Sequence, residues 1–139
     1  GWGRHGVLLG PEKAAVLTAP EAPAAVLATL LGLAQAGLAA PLPLFPEASC
    51  AWAEAVRQGK AGDDAFAKVV AKWRPERTEG ASPEGLTLAA RHAFPQGLFP
   101  VRADFCTLAE TVFLPLLEAE EVVALEAVAD TLRTRGALP

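Results

Sequence analysis

A chain of 139 residues carrying a net charge of −4 has room for one hydrophobic core. Its lysines and arginines are scattered rather than clustered, which argues against the basic face of a free-standing nucleic-acid binder. Methionine is absent and residue 1 is Gly, so the sequence is read as a fragment of a longer chain or a trimmed product, folded as a single domain over 1–139 with strands in 1–19 and helices in 20–139.

Val7-Leu8-Leu9 and Ala14-Ala15-Val16-Leu17-Thr18 are short apolar runs separated by Gly10-Pro11-Glu12-Lys13, the pattern of a β-hairpin. A lone hairpin is marginal in water, which predicts that these strands join a larger sheet. Pro20 and Pro23 then start a helix over about 22–37, with Val26, Leu27, Leu30, Leu31, Ala34 and Leu38 recurring as a stripe expected to be buried. Residues 22–46 carry no charge, but Gly32, Gln35 and Gly37 interrupt the run and Pro41 and Pro43 end it. It falls short of the roughly 20 uninterrupted apolar residues of a membrane span. The amino end lacks a basic n-region followed by an apolar h-region, so no signal peptide is expected.

The stretch Pro41-Leu42-Pro43-Leu44-Phe45-Pro46 is extended, because each proline fixes φ and removes a donor. Pro46 suits the first position of the next helix, where a missing N–H costs nothing. That helix is predicted over about 46–58, with Cys50, Trp52, Ala53 and Val56 inward. A third follows Gly62-Asp63-Asp64, its Phe66, Val69, Val70 and Trp73 forming an amphipathic stripe. Residues 75–84 read as a polar loop, and 86–94 as either a strand or a short helix. A fourth helix begins near Asp104, with Phe105, Leu108, Ala109, Val112, Phe113, Leu116 and Leu117 inward and Pro115 kinking it. A last helix is expected over about 118–135. The fold class is therefore α+β and predominantly helical: a short N-terminal β-hairpin plus about five helices.

The sequence shows no catalytic constellation. His5 and His92 are far apart, no Cys-x-x-Cys or His-x-x-x-His spacing occurs, and Ser49 and Ser82 stand outside any nucleophile elbow. Asp63-Asp64 and Glu118/Glu120/Glu121 are better read as charges at positive helix ends than as Mg²⁺ ligands. Trp52 and Trp73 fall on apolar stripes and read as core, and Cys50 and Cys106 as buried free thiols. The glycine-rich start, 1–6, lacks the lysine and the preceding strand of a phosphate loop. Arg74, Arg77, Arg91 and Arg102 form the one loose basic grouping, and they are the candidate contacts to DNA or a partner. No cofactor, metal or small-molecule ligand is expected.

The run Ala39-Ala40-Pro41-Leu42-Pro43-Leu44-Phe45-Pro46-Glu47-Ala48-Ser49-Cys50-Ala51-Trp52 resembles the "APLP-x-x-P-x-x-x-x-AW" passage near the C-terminus of the exodeoxyribonuclease V gamma chain (RecC) family. Gly6-Val7-Leu8-Leu9-Gly10 before it is similar to a sheet strand of that family. The segments after it, Asp63-Asp64-Ala65-Phe66-Ala67-Lys68 and Phe105 to Leu117 with its Pro115-Leu116-Leu117, are similar to two of its helices. The resemblance covers about 6–117 and leaves 118–139 unmatched. It implies the tail of a degenerate PD-(D/E)xK nuclease-like domain that has lost its metal carboxylates. It also implies a non-catalytic role in the RecBCD helicase–nuclease: scaffolding RecB-like and RecD-like subunits and guiding duplex and single-stranded DNA in double-strand-break repair and recombination. The parent complex resembles an ATP-dependent exodeoxyribonuclease of the bacterial cytoplasm. The rival readings are a helical protein-interaction domain unrelated to DNA and a divergent metal-dependent nuclease domain.

Overall fold

The computed structural model describes residues 4–74, 83–94 and 99–137. Arg77, Ser82, most of the predicted polar loop 75–84 and the first half of the glycine-rich start 1–6 lie outside these. The fold is α+β and mostly helical, with a small antiparallel sheet. The chain forms two compact units, one of residues 1–31 and 115–139, the other of residues 32–114.

In the first unit the hairpin forms as the turn chemistry predicts: β1 (His5–Leu9) pairs antiparallel with β2 (Lys13–Thr18), Val7 opposite Val16. A third strand, β3 (Glu120–Ala124), pairs with the other edge of β2, placing Val16 opposite Glu121 and Ala14 opposite Val123. Ala14 and Val16 are buried. This corrects the expectation of one helix over 118–135, and with it a wholly helical 20–139. The consecutive β-branched pair Val122-Val123 favours extended backbone, and the open edge of β2 supplies the ladder that makes a strand stable. A 3₁₀ turn (Leu125–Ala127) and the short helix α6 (Val128–Thr134) follow, and α6 packs against β2. Arg135, just after α6, donates to Oγ1 of Thr18 on β2 and pairs with Glu121 on β3 at 2.6 Å.

Helix α1 (Pro23–Ala39) forms where predicted but buries none of its residues, so the expected buried stripe is not covered among the described residues. The periodic leucines carry less positional information than they suggest, because the helix is apolar all round: nothing in 23–39 is charged.

The second unit is built on aromatic packing. Helices α2 (Pro46–Arg57) and α3 (Gly62–Trp73) pack together, and α5 (Arg102–Ala119) runs on through Pro115. The segment that reads as strand or short helix is a 3₁₀ turn (Glu84–Leu86) followed by the short helix α4 (Leu88–Ala93). Trp52 and Trp73 are buried, as their stripes predict. Phe45 is the hub: its ring meets Trp73 edge-on at 4.5 Å and Phe94 at 5.5 Å, and lies 6.4 Å from Phe105. Phe99 bridges the cluster to Phe66 and Trp73 at 5.2 and 5.1 Å. Such pairs add about 0.5–1.5 kcal/mol each beyond the area they bury. The proline-studded connector thus does more than launch α2, because it delivers the central side chain of the core.

Candidate partner-contact site

The arrangement around α2 begins with its N-terminus. Pro46 has no N–H to satisfy, and Ser49 N–H donates to the Phe45 carbonyl at 2.7 Å. The two N–H groups between them, of Glu47 and Ala48, both donate to the Glu84 carboxylate at 2.8 Å, one to each oxygen. Glu84 therefore caps α2 from a segment distant in sequence, with its charge at the positive end of the helix dipole. The buried Ser49 hydroxyl accepts from Phe45 N–H at 3.1 Å, locking the connector to the first turn. The next residue, Gly85, lies against the Trp73 indole, where a Cβ would come within 2.6 Å of Cε2.

The other tie runs to α5. Trp52 Nε1–H donates to Glu110 Oε1 at 2.9 Å. Arg102 pairs with Asp63 at 2.7 Å and places its guanidinium 4.2 Å from the centre of the Phe66 ring. Burial raises the Cys106 thiol above the usual thiol range; Arg102 opposes that rise and Glu110 adds to it. Neither cysteine is in a disulfide, and both are only half-buried rather than fully buried.

Of the four arginines singled out in the sequence, Arg102 is thus engaged in holding α3 to α5. Arg74 and Arg91 are exposed. Arg91 lines a shallow depression with Leu88 and His92, and Arg77 lies outside the described residues. No group of three or more His, Cys, Asp or Glu able to hold a metal occurs among the described residues. No helix among them is long and apolar enough to cross a membrane.

Part of the remaining surface is apolar. On α1, Leu27, Leu30 and Leu31 are exposed, Leu31 to 56%, and Leu38 reaches 90%. In the second unit, Leu33 on α1, Leu42 and Pro43 on the connector, and Leu108 on α5 line an open groove of about 450 Å³, together with Asp104, Thr107 and Thr111. The described part of α1 offers apolar surface and no charge for phosphate. The α1 leucines were visible in the sequence. Glu84, Gly85 and Glu110 were not, since a cap supplied from 36 residues away leaves no local pattern.

Comparison with known proteins agrees with the segment that first suggested a family: residues 1–57 match the family model of the RecC C-terminal domain. The match spans the hairpin, α1, the connector and α2, including the whole Ala39–Trp52 run. No curated protein and no solved structure matches the chain.

Proposed function

We propose, from the match of residues 1–57 to the family model of the RecC C-terminal domain, that this chain is a non-catalytic scaffolding piece of a RecC-like subunit, holding RecB-like and RecD-like chains and lying along the DNA path of a RecBCD-type helicase–nuclease. The observation that carries this reading is α1. It lies inside the matched segment, has no charged residue and buries none of its side chains. A helix apolar on every side is stable in a protein only when other protein covers it. Its leucines therefore belong to the scaffold's protein contacts, and in the second unit the groove lined by Leu33, Leu42 and Leu108 is a further apolar surface.

In this reading the sheet and helices are the tail of a degenerate PD-(D/E)xK-type domain, located with the parent complex in the bacterial cytoplasm. Asp63 pairs with Arg102, a structural use of one carboxylate of the Asp63-Asp64 pair. DNA guidance falls to Arg74, Arg77 and Arg91, with Arg102 acting mainly as an internal clamp.

The test is co-expression of the chain with RecB-like and RecD-like subunits. A stable complex is expected, and Leu27→Asp with Leu31→Asp is expected to abolish it while leaving the circular dichroism spectrum unchanged. Failure to co-purify would overturn the scaffold reading. So would Mg²⁺-dependent DNA cleavage by the chain alone that is lost on Asp63→Asn or Asp64→Asn.

A further inference from the structure

The chain passes between its two units twice, after Leu31 and after Leu114. Both crossings fall inside a helix rather than in a loop, the first within α1 and the second within α5. An unbroken helix would weld the units together, because its i→i−4 bonds run straight across the junction. At each junction, however, stands a residue that weakens a helix. Gly32 is the first residue after one crossing, and Pro115 is the first after the other.

Packing does not demand the glycine. A Cβ built on Gly32 meets nothing within 4 Å, and Gly32 is not among the glycines with positive φ. An alanine would fit there and hold the helix better, so what the glycine supplies is backbone freedom. Pro115 has no N–H to give the Thr111 carbonyl one turn back, and its ring crowds that carbonyl. A second feature recurs within one turn upstream of each junction. Thr29 donates its hydroxyl proton to the Ala25 carbonyl at 3.0 Å, and Thr111 donates to the Thr107 carbonyl at 2.7 Å. A hydroxyl bonded back four residues competes with the ladder for that carbonyl and lets the helix bend. The two crossings thus share one design, although they lie on different helices.

We infer that Gly32 and Pro115 form a paired hinge, about which the unit of residues 1–31 and 115–139 turns relative to the unit of residues 32–114. Because the chain crosses at two points, the turning is confined to an axis through both. The bend is absorbed at two helix-interior positions, so the sheet on one side and the aromatic core on the other keep their own packing, as in hinge motions generally. This inference rests on the placement of the helix-weakening residues and is independent of the scaffold reading.

Residual dipolar couplings of the backbone amides test it, measured on the full 139-residue chain in a neutral stretched gel and fitted to each unit separately. Two alignment tensors of different magnitude are expected, because units that turn independently are not aligned equally. Pro115→Ala restores the missing N–H, and Gly32→Ala stiffens the first crossing in open space. Gly32→Ala alone is expected to narrow the difference between the tensors, and the double variant to abolish it. Gly37→Ala, in the last turn of α1 and away from the crossing, is expected to leave the two tensors as they were. A single tensor in the unaltered chain overturns the inference. So do two tensors that persist unchanged in the double variant, and so does a merger produced equally by Gly37→Ala.

Discussion

Gly85 sits where the Trp73 indole leaves room for a hydrogen and nothing larger. A Cβ built there lies 2.6, 2.8 and 2.9 Å from Cε2, Nε1 and Cδ2. These are fused-ring atoms of a buried side chain, held in turn by Phe45 and Phe99. The ring cannot yield by a simple rotation, so the added methyl must displace either the indole or the 3₁₀ turn. Gly85→Ala is therefore expected to destabilise the protein by about 1–3 kcal/mol, the usual range for overpacking. The fall should appear in the urea midpoint together with a red shift of tryptophan emission. An unchanged midpoint would mean that the Glu84–Leu86 turn moves freely over Trp73. The same residue shows what single positions conceal in a sequence: Gly85 falls between the polar loop 75–84 and the segment 86–94 with no reading of its own, and its constraint exists only once Trp73 has been folded against it.

At the scale of elements, α2 is fixed at its start by a residue outside itself. The bidentate Glu84 contact satisfies two N–H groups and adds charge at the positive helix end. Losing a cap typically costs about 0.5–2 kcal/mol. Glu84→Ala is expected to lower the urea midpoint by an amount in that range. Glu84→Gln keeps one acceptor but not the charge, and is expected to lose less. Equal losses in the two variants would show that the carboxylate's charge dominates over the two hydrogen bonds. What was legible at this scale followed from local pattern. The hairpin came from Gly10-Pro11, α2 from Pro46, α3 from the Phe66–Trp73 stripe with two aspartates ahead of it, and α5 from Phe105 to Leu117. What was not legible depended on distant partners. Glu120–Ala124 became a strand because β2 had a free edge to fill, although its glutamates read equally well as the charged start of a helix. The leucines of α1 read as a buried stripe because periodicity reports that a face is apolar and says nothing of whether this chain supplies its cover. Of the candidate site, the loose arginine group was visible, but the use of Arg102 on Asp63 and Phe66 required the approach of α3 and α5.

For the whole molecule the decisive quantity is where charge is missing. A net charge of −4 with uncharged residues 22–46 leaves the proposed scaffold contact without an electrostatic component. Contacts of the two kinds respond differently to salt. Binding that neutralises 6–10 phosphates loses about 10³–10⁵ in affinity between roughly 50 and 200 mM salt. Burial of leucine surface carries no charge to screen, and strongly hydrated salts such as sulfate strengthen it. If α1 supplies the contact, capture of RecB-like and RecD-like chains should change little across that range and strengthen in sulfate. Each buried leucine side chain is worth about 1.5–3 kcal/mol, so converting Leu27 and Leu31 to aspartate removes enough to weaken capture by at least a hundredfold. Association of the complex with DNA should fall steeply over the same salt range, and Arg91→Ala should weaken it without altering subunit capture. Capture that collapses with the DNA affinity as salt rises would place the contact on the charged surface and remove α1 from the interface.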